Sequence, residues 1–227
     1  IWVMYSFEKN FKDLPDIVPL FPLNKVLLLP RAKLPLNLFE TRYLHMFDYS
    51  MANGRCIGMI QPTQRSGSSV DKKNPDLYSI GCAGYITAFS QTNDNRYEII
   101  LKGLCRFEIS KEQPLKNGFR SANVSWRSFK DDFERLKLKN KSMRNDFIET
   151  LKLYLKKKSI NADWEAIEVS NDEDLINSIS MGCPFDVNEK QALLQAKNLD
   201  ERTDILISLM KISMNMSAVS GSGTALS

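Results

Sequence analysis

The chain has 227 residues, of which 43% are hydrophobic and 26% charged, with a formal net charge of +4. A chain of this size buries an adequate core without disulfide or metal staples. Its small net charge gives no reason to expect a nucleic-acid or membrane partner, and no apolar run approaches the roughly 18 residues of a membrane span. The opening Ile1-Trp2-Val3-Met4 lacks the charged and apolar regions of a secretory signal, and Met4 is the candidate start residue.

From Ile17 to Trp126, short β-prone runs alternate with proline and glycine. Val26-Leu27-Leu28-Leu29, closed by Pro30, predicts a strand buried on both faces. Leu34, Leu36 and Leu38 alternate with other residues at period two, the mark of a second strand. Residues 41–53 break the pattern: Tyr43, Leu44, Phe47 and Met51 share one helical face, and Gly54 supplies the stop. Residues 56–60 read as a strand. Residues 63–76 follow as a polar loop, with Ser66-Gly67-Ser68-Ser69 and Lys72-Lys73-Asn74-Pro75. Strands over 80–90 and 97–101, joined by Thr92-Asn93-Asp94-Asn95, predict a hairpin. Further strands over 106–109 and 121–126 complete a closed or nearly closed antiparallel β structure.

Beyond Trp126 the periodicity changes to helical. Met143, Phe147, Leu151, Tyr154 and Leu155 form one apolar stripe, and Lys156-Lys157-Lys158 ends that helix, where cations are favoured. Three pairs then have capping-box spacing: Ser170 with Glu173, Asp186 with Glu189, and Asn198 with Glu201. Apolar faces follow each: Leu175, Ile176 and Ile179; Leu193 and Leu194; then Ile205, Leu206, Leu209, Ile212 and Met216. The pattern predicts four or five bundled helices over 129–216, a β-rich part over 1–128, and a loose Ser/Gly/Ala tail over 217–227, an α+β organisation. Charge is uneven: +6 over 1–129, +5 over 130–160 and −8 over 161–204. Such asymmetry steers a partner or reflects acidic residues gathered at helix starts.

Catalytic groupings are missing from the pattern. His45 is the one histidine, set between apolar neighbours, so neither a histidine metal pair nor a second imidazole is available. No phosphate-binding G-x-x-x-x-G-K-[ST] and no G-x-S-x-G elbow occur. Cys56, Cys82, Cys105 and Cys183 are far apart and form no C-x-x-C, which suits a reducing cytoplasm and small-hydrophobe roles. We therefore expect no catalytic, cofactor-binding or metal-binding residues; the binding residues and the oligomeric state stay open.

Particular residues go further than pattern. Pro19-Leu20-Phe21-Pro22-Leu23, Val26-Leu27-Leu28-Leu29-Pro30, Leu34-Pro35-Leu36 and Phe39-Glu40-Thr41-Arg42-Tyr43 occur in that order. Ile57-Gly58-Met59-Ile60, Tyr78-Ser79-Ile80-Gly81-Cys82-Ala83 and Gly103-Leu104-Cys105-Arg106-Phe107 follow. The helical half has Glu189-Lys190-Gln191-Ala192-Leu193-Leu194 and then Leu199-Asp200-Glu201-Arg202. The ordered series resembles the N-terminal, substrate-binding domain of the Lon protease family, in its stand-alone bacterial form. That resemblance implies a PUA-like β-barrel followed by a helical bundle, without the ATPase and Ser-Lys protease modules. It implies a non-catalytic module that binds unfolded or partner polypeptide, in an adaptor, chaperone or proteolysis-associated role. The alternative is an RNA-binding PUA-like module, which rests on fold analogy alone. Prolines here terminate strands, Gly81 and Gly103 serve close packing, and Arg42 and Arg106 are expected to pair with carboxylates.

Overall fold

In the computed structural model, residues 11–63, 75–94 and 96–219 are described. Met4, residues 64–74 of the expected polar loop, Asn95 of the expected turn and tail residues 220–227 lie outside them. Two compact units emerge, Ile1–Glu134 and Arg135–Ser227.

The first unit holds strands β1 (Ile17–Pro22), β2 (Lys33–Leu38), β3 (Cys56–Ile60), β4 (Ile80–Gln91), β5 (Tyr97–Glu112) and β6 (Arg120–Ser125). Helix α1 (Thr41–Ala52) lies between β2 and β3. The sheet order is β2-β5-β4-β3-β1-β6, and β6 also pairs with β5. Five strands thus close into a ring, and β2 is added outside it on β5. Every pairing is antiparallel except β1 with β3, where Leu20 lies opposite Gly58 in a parallel register. The expected antiparallel barrel is therefore mixed at this one pair. Parallel neighbours need a long crossover, and here β2 and α1 provide it.

Three local expectations need correction. Leu27, Leu28 and Leu29 are buried, but their segment pairs as no strand. Left-handed backbone at Lys25 (φ 60°) and Arg31 (φ 66°) turns the chain at both ends of it. Residues 97–101 and 106–109 belong to one strand, because Gly103 packs rather than breaks. A Cβ at Gly103 would run into the Leu29 carbonyl oxygen, so only glycine admits that approach. Beside it the ladder slips: Ala83 lies opposite Cys105 and Gly84 opposite Gly103, which leaves Leu104 of β5 as the extra residue. Finally, β1 ends on Pro22 as expected but runs through Pro19. Proline fixes φ in a range that extended chain tolerates, and it costs only one ladder donor.

The ring encloses Val18, Leu20, Cys56, Ile60, Ala83, Cys105, Phe107 and Ala122, with Trp126 and Phe129 closing it. Trp126 meets Phe107 edge-on, with centroids 5.9 Å apart, and its Nε1 donates to the Pro15 carbonyl at 3.1 Å. A 3-10 segment, Arg127–Phe133, is anchored to β5 by a buried ion pair. Arg106 Nη2 lies 2.8 Å from Asp132 Oδ1, its Nε 3.0 Å from Oδ2, and its backbone N–H donates to Oδ2 at 2.8 Å. The guanidinium also lies 4.7 Å from the Phe129 ring centre. Arg31 donates to the Asp132 carbonyl as well.

The second unit contains α2 (Lys141–Lys157), α3 (Trp164–Val169), α4 (Asp172–Gly182), α5 (Val187–Gln195) and α6 (Leu199–Val219). Its core takes Phe147, Leu151, Tyr154 and Leu155 from α2, with Leu175, Ile176, Leu193, Leu194, Leu206 and Met210. The Asp186–Glu189 box is reciprocal, at 2.9 and 2.8 Å. At the next helix Asn198 accepts from the Glu201 N–H at 2.9 Å, but Glu201 reaches back to the Lys197 N–H. The Ser170 box does not form. Asn171 caps α4 instead, accepting from Asp174 N at 2.9 Å. Glu173 is buried and accepts from Leu136 N. Helix α6 continues to Val219, into the segment expected to be loose.

Two buried cations explain much of the helical motif. Lys190 Nζ donates to the Ser180 and Met181 carbonyls, at 2.9 and 2.6 Å, so it caps the end of α4. Burial lowers its pKa to about 8. Arg202 Nε donates to the Leu193 carbonyl at 3.0 Å, and its Nη1 to Asn177 Oδ1 at 3.0 Å. Each ties the end of one helix to the side chain of a later one.

Candidate functional site

Past the point where the ring closes, the first half of β5 continues between β2 and the far half of β4 as a three-stranded extension. Register places Pro35, Ile100 and Ala88 in one cross-strand row, and Asn37, Glu98 and Ser90 in the next. Positions two apart on a strand share a face, so both rows look the same way. A bulge leaves Thr87 between Ile86 and Ala88, where its hydroxyl donates to the Ile100 carbonyl at 3.1 Å. Bulges bend the strand that carries them. Together with Leu36, Phe89 and Ile99, these two rows line a groove of about 550 Å³.

Strand alternation accounts for the inner face, where Ile99 and Leu101 are buried. It does not require an apolar residue at the outward position 100, yet Ile100 is 38% exposed there. Phe89 is 51% exposed, with its ring 5.4 Å from that of Phe47. Phe39, just past β2, is 61% exposed beneath the Arg96 guanidinium. Ile100, outward and outside the core, thus marks a contact surface beside Pro35 and Ala88, whereas Phe89, opposite the buried Ile99, packs on Phe47. The polar row supplies an amide, a carboxylate and a hydroxyl, with Ser90 donating to Glu98 at 3.3 Å. Glu98 is the one titratable group in the lining, so the groove is arranged for contact rather than for proton transfer.

A smaller concavity of about 150 Å³ is lined by Arg42, Tyr43, Phe119 and Arg120, among others. Its two guanidiniums are already neutralised. Arg42 pairs with Glu40 at 2.8 Å, and Arg120 is held by Glu112 at 2.6 Å. Burial raises the Tyr43 phenol above its usual pKa, which keeps it neutral. Arg42 and Arg106 thus both pair with carboxylates, Glu40 and Asp132.

His45 lies exposed on α1, its Nδ1–H donating to the Asn117 carbonyl at 3.1 Å. All four cysteines are buried and none forms a disulfide. Among the described residues, no three His, Cys, Asp or Glu side chains come together as a metal site would require. No described helix is long and apolar enough to cross a membrane. The binding residues left open by the sequence acquire a candidate in the groove. Its one legible signal was Ile100, an isoleucine out of phase with the buried Ile99 and Leu101.

A family model described as the ATP-dependent protease La (LON) substrate-binding domain matches residues 17–212. Similar curated proteins include Lon protease 2 of Myxococcus xanthus, 25% identical over 206 residues, covering 88% of this chain and 24% of that protein. Lon protease of Flavobacterium johnsoniae is 26% identical over 202 residues, covering 86% and 24%. The chain therefore spans about a quarter of the length of these relatives. A Lon N-terminal domain protein from Xanthomonas campestris superposes with a TM-score of 0.59 at 21% identity, covering 85% of this chain and 97% of that one. The N-terminal domain of a Mycobacterium avium complex Lon protease gives 0.59 at 15% identity, with 86% and 98% covered. At these identities the two structures speak for the fold alone.

Proposed function

We propose that this chain, which belongs to the ATP-dependent protease La (LON) substrate-binding domain family, is a non-catalytic module that binds extended polypeptide in the β2–β5–β4 groove. The observation that carries the proposal is the outward Ile100 in a row with Pro35 and Ala88, beside the hydrogen-bonding row Asn37, Glu98 and Ser90. A groove of about 550 Å³ takes two or three apolar side chains of an unfolded segment, while the polar row meets its backbone. The client is an unfolded substrate or a partner protein, in an adaptor or proteolysis-associated setting. The reducing cytoplasm is the compartment that suits four buried thiols without a disulfide among them.

The RNA alternative is disfavoured by Glu98, a carboxylate standing where phosphates would need cations. Binding of a fluorescent, permanently unfolded polypeptide and of a structured RNA, compared across a salt series, tests the proposal. Saturable polypeptide binding that survives moderate salt, and that falls at least tenfold in Ile100→Asp, is expected. Salt-steep RNA binding without polypeptide affinity would overturn it.

A further inference from the structure

The helical unit has a groove of its own, of opposite electrostatic character. It measures about 430 Å³ and is lined by Lys152, Leu155, Lys156, Ile160, Asn161 and Trp164. Its floor follows from the way α2 ends. Ser159 adopts the left-handed conformation at φ 54°; its N–H donates to the Lys156 carbonyl at 3.2 Å, and the Ile160 N–H to the Leu155 carbonyl at 3.0 Å. That is a Schellman ending, which brings the apolar residue after the turn back against the last turn of the helix. Ile160 stays 50% exposed there, next to Leu155. Lys152 and Lys156, both exposed and one turn apart on α2, bring the only charges to the lining. Neither forms an ion pair among the described residues.

We infer that this groove is a second docking site, for an acidic polypeptide segment in which Asp or Glu flanks a Leu or Phe. The apolar side chain lies on Leu155 and Ile160 while the flanking carboxylates meet the two lysines. Charge complementarity decides the class of partner, since the lining carries two cations and no anion. A nucleic acid is less well served. Lys152 Nζ already lies 5.5 Å from the Trp164 ring centre, so a stacking base would have to displace it.

The test is fluorescence anisotropy on the full chain with three labelled probes: a peptide Asp-Glu-Leu-Phe-Asp-Glu, its Lys-for-acid counterpart, and a single-stranded oligouridylate. Saturable binding of the acidic peptide alone is expected, weakened roughly tenfold in Lys152→Glu/Lys156→Glu. Because both lysines are exposed, the variant should fold as the parent does; an unchanged circular dichroism melt confirms that. Acidic-peptide binding that is absent or indifferent to the charge reversal overturns the inference, and so does lysine-dependent binding of the oligouridylate in preference to the peptide. Ile100→Asp leaves this binding unchanged, which separates the site from the β2–β5–β4 groove.

Discussion

Removing the Asp132 carboxylate should cost the β unit far more than removing both members of its ion pair. Asp132 accepts from Arg106 Nε, Nη2 and backbone N–H at 2.8 to 3.2 Å, and the two side chains are 2% and 4% exposed. In Asp132→Ala the guanidinium stays buried with its main acceptor gone, keeping the face of Phe129. A stranded buried charge costs about 3–5 kcal/mol. In Arg106→Met/Asp132→Leu no charge remains to be desolvated, and the loss should be within about 1–2 kcal/mol of zero. Urea unfolding followed by Trp126 fluorescence measures both, since that indole sits against Phe107 inside the ring. With a slope of about 2 kcal/mol per molar urea, the single variant moves the midpoint down by about 2 M and the double variant by under 1 M. A single-variant loss below 1 kcal/mol, or a double-variant loss equal to the sum of both singles, would refute the reasoning.

The thiol of Cys105 gives a pH dependence of definite sign. Burial raises its pKa well above the ordinary 9.0, so its contribution is whole below pH 9 and lost as pH climbs toward the folded value. The β unit should lose about 1.4 kcal/mol through this group between pH 7.5 and pH 10, and Cys105→Ala should flatten that slope in pH-dependent urea titrations. At the end of α2, Ser159→Gly should stabilise the helical unit by about 0.5–1 kcal/mol, because glycine takes φ 54° without a Cβ penalty. A thermal melt that moves down instead would contradict the Schellman geometry.

Short-range chemistry made most elements legible. Period-two leucines marked β2, the i, i+4 pattern of Tyr43 and Phe47 marked α1, and the Asp186–Glu189 box opened α5 as written. What escaped depended on distant partners. Close packing was legible at Gly103, but not that it packs on the Leu29 carbonyl within one continuous strand, and Glu173 reads as a cap until Leu136 N arrives from 37 residues away. The parallel pairing of β1 and β3 has no local signature at all. For the site, Ile100 was visible only as an apolar residue out of phase, and its row with Pro35 and Ala88 needed the sheet register.

Ring closure has a price for the strand left outside. Because β6 pairs on both sides, the ring itself is closed, and among the described residues the open edges lie in the extension: β2, which pairs with β5 alone, and the far half of β4 from Ala88 to Gln91, which also pairs only with β5. The β2 sequence, Lys33-Leu34-Pro35-Leu36-Asn37-Leu38, sets a cation and an imino acid among three leucines. Pro35 denies an incoming strand one of its hydrogen bonds while offering a ring to the groove. One residue thus guards the β2 edge while forming part of the groove's lining.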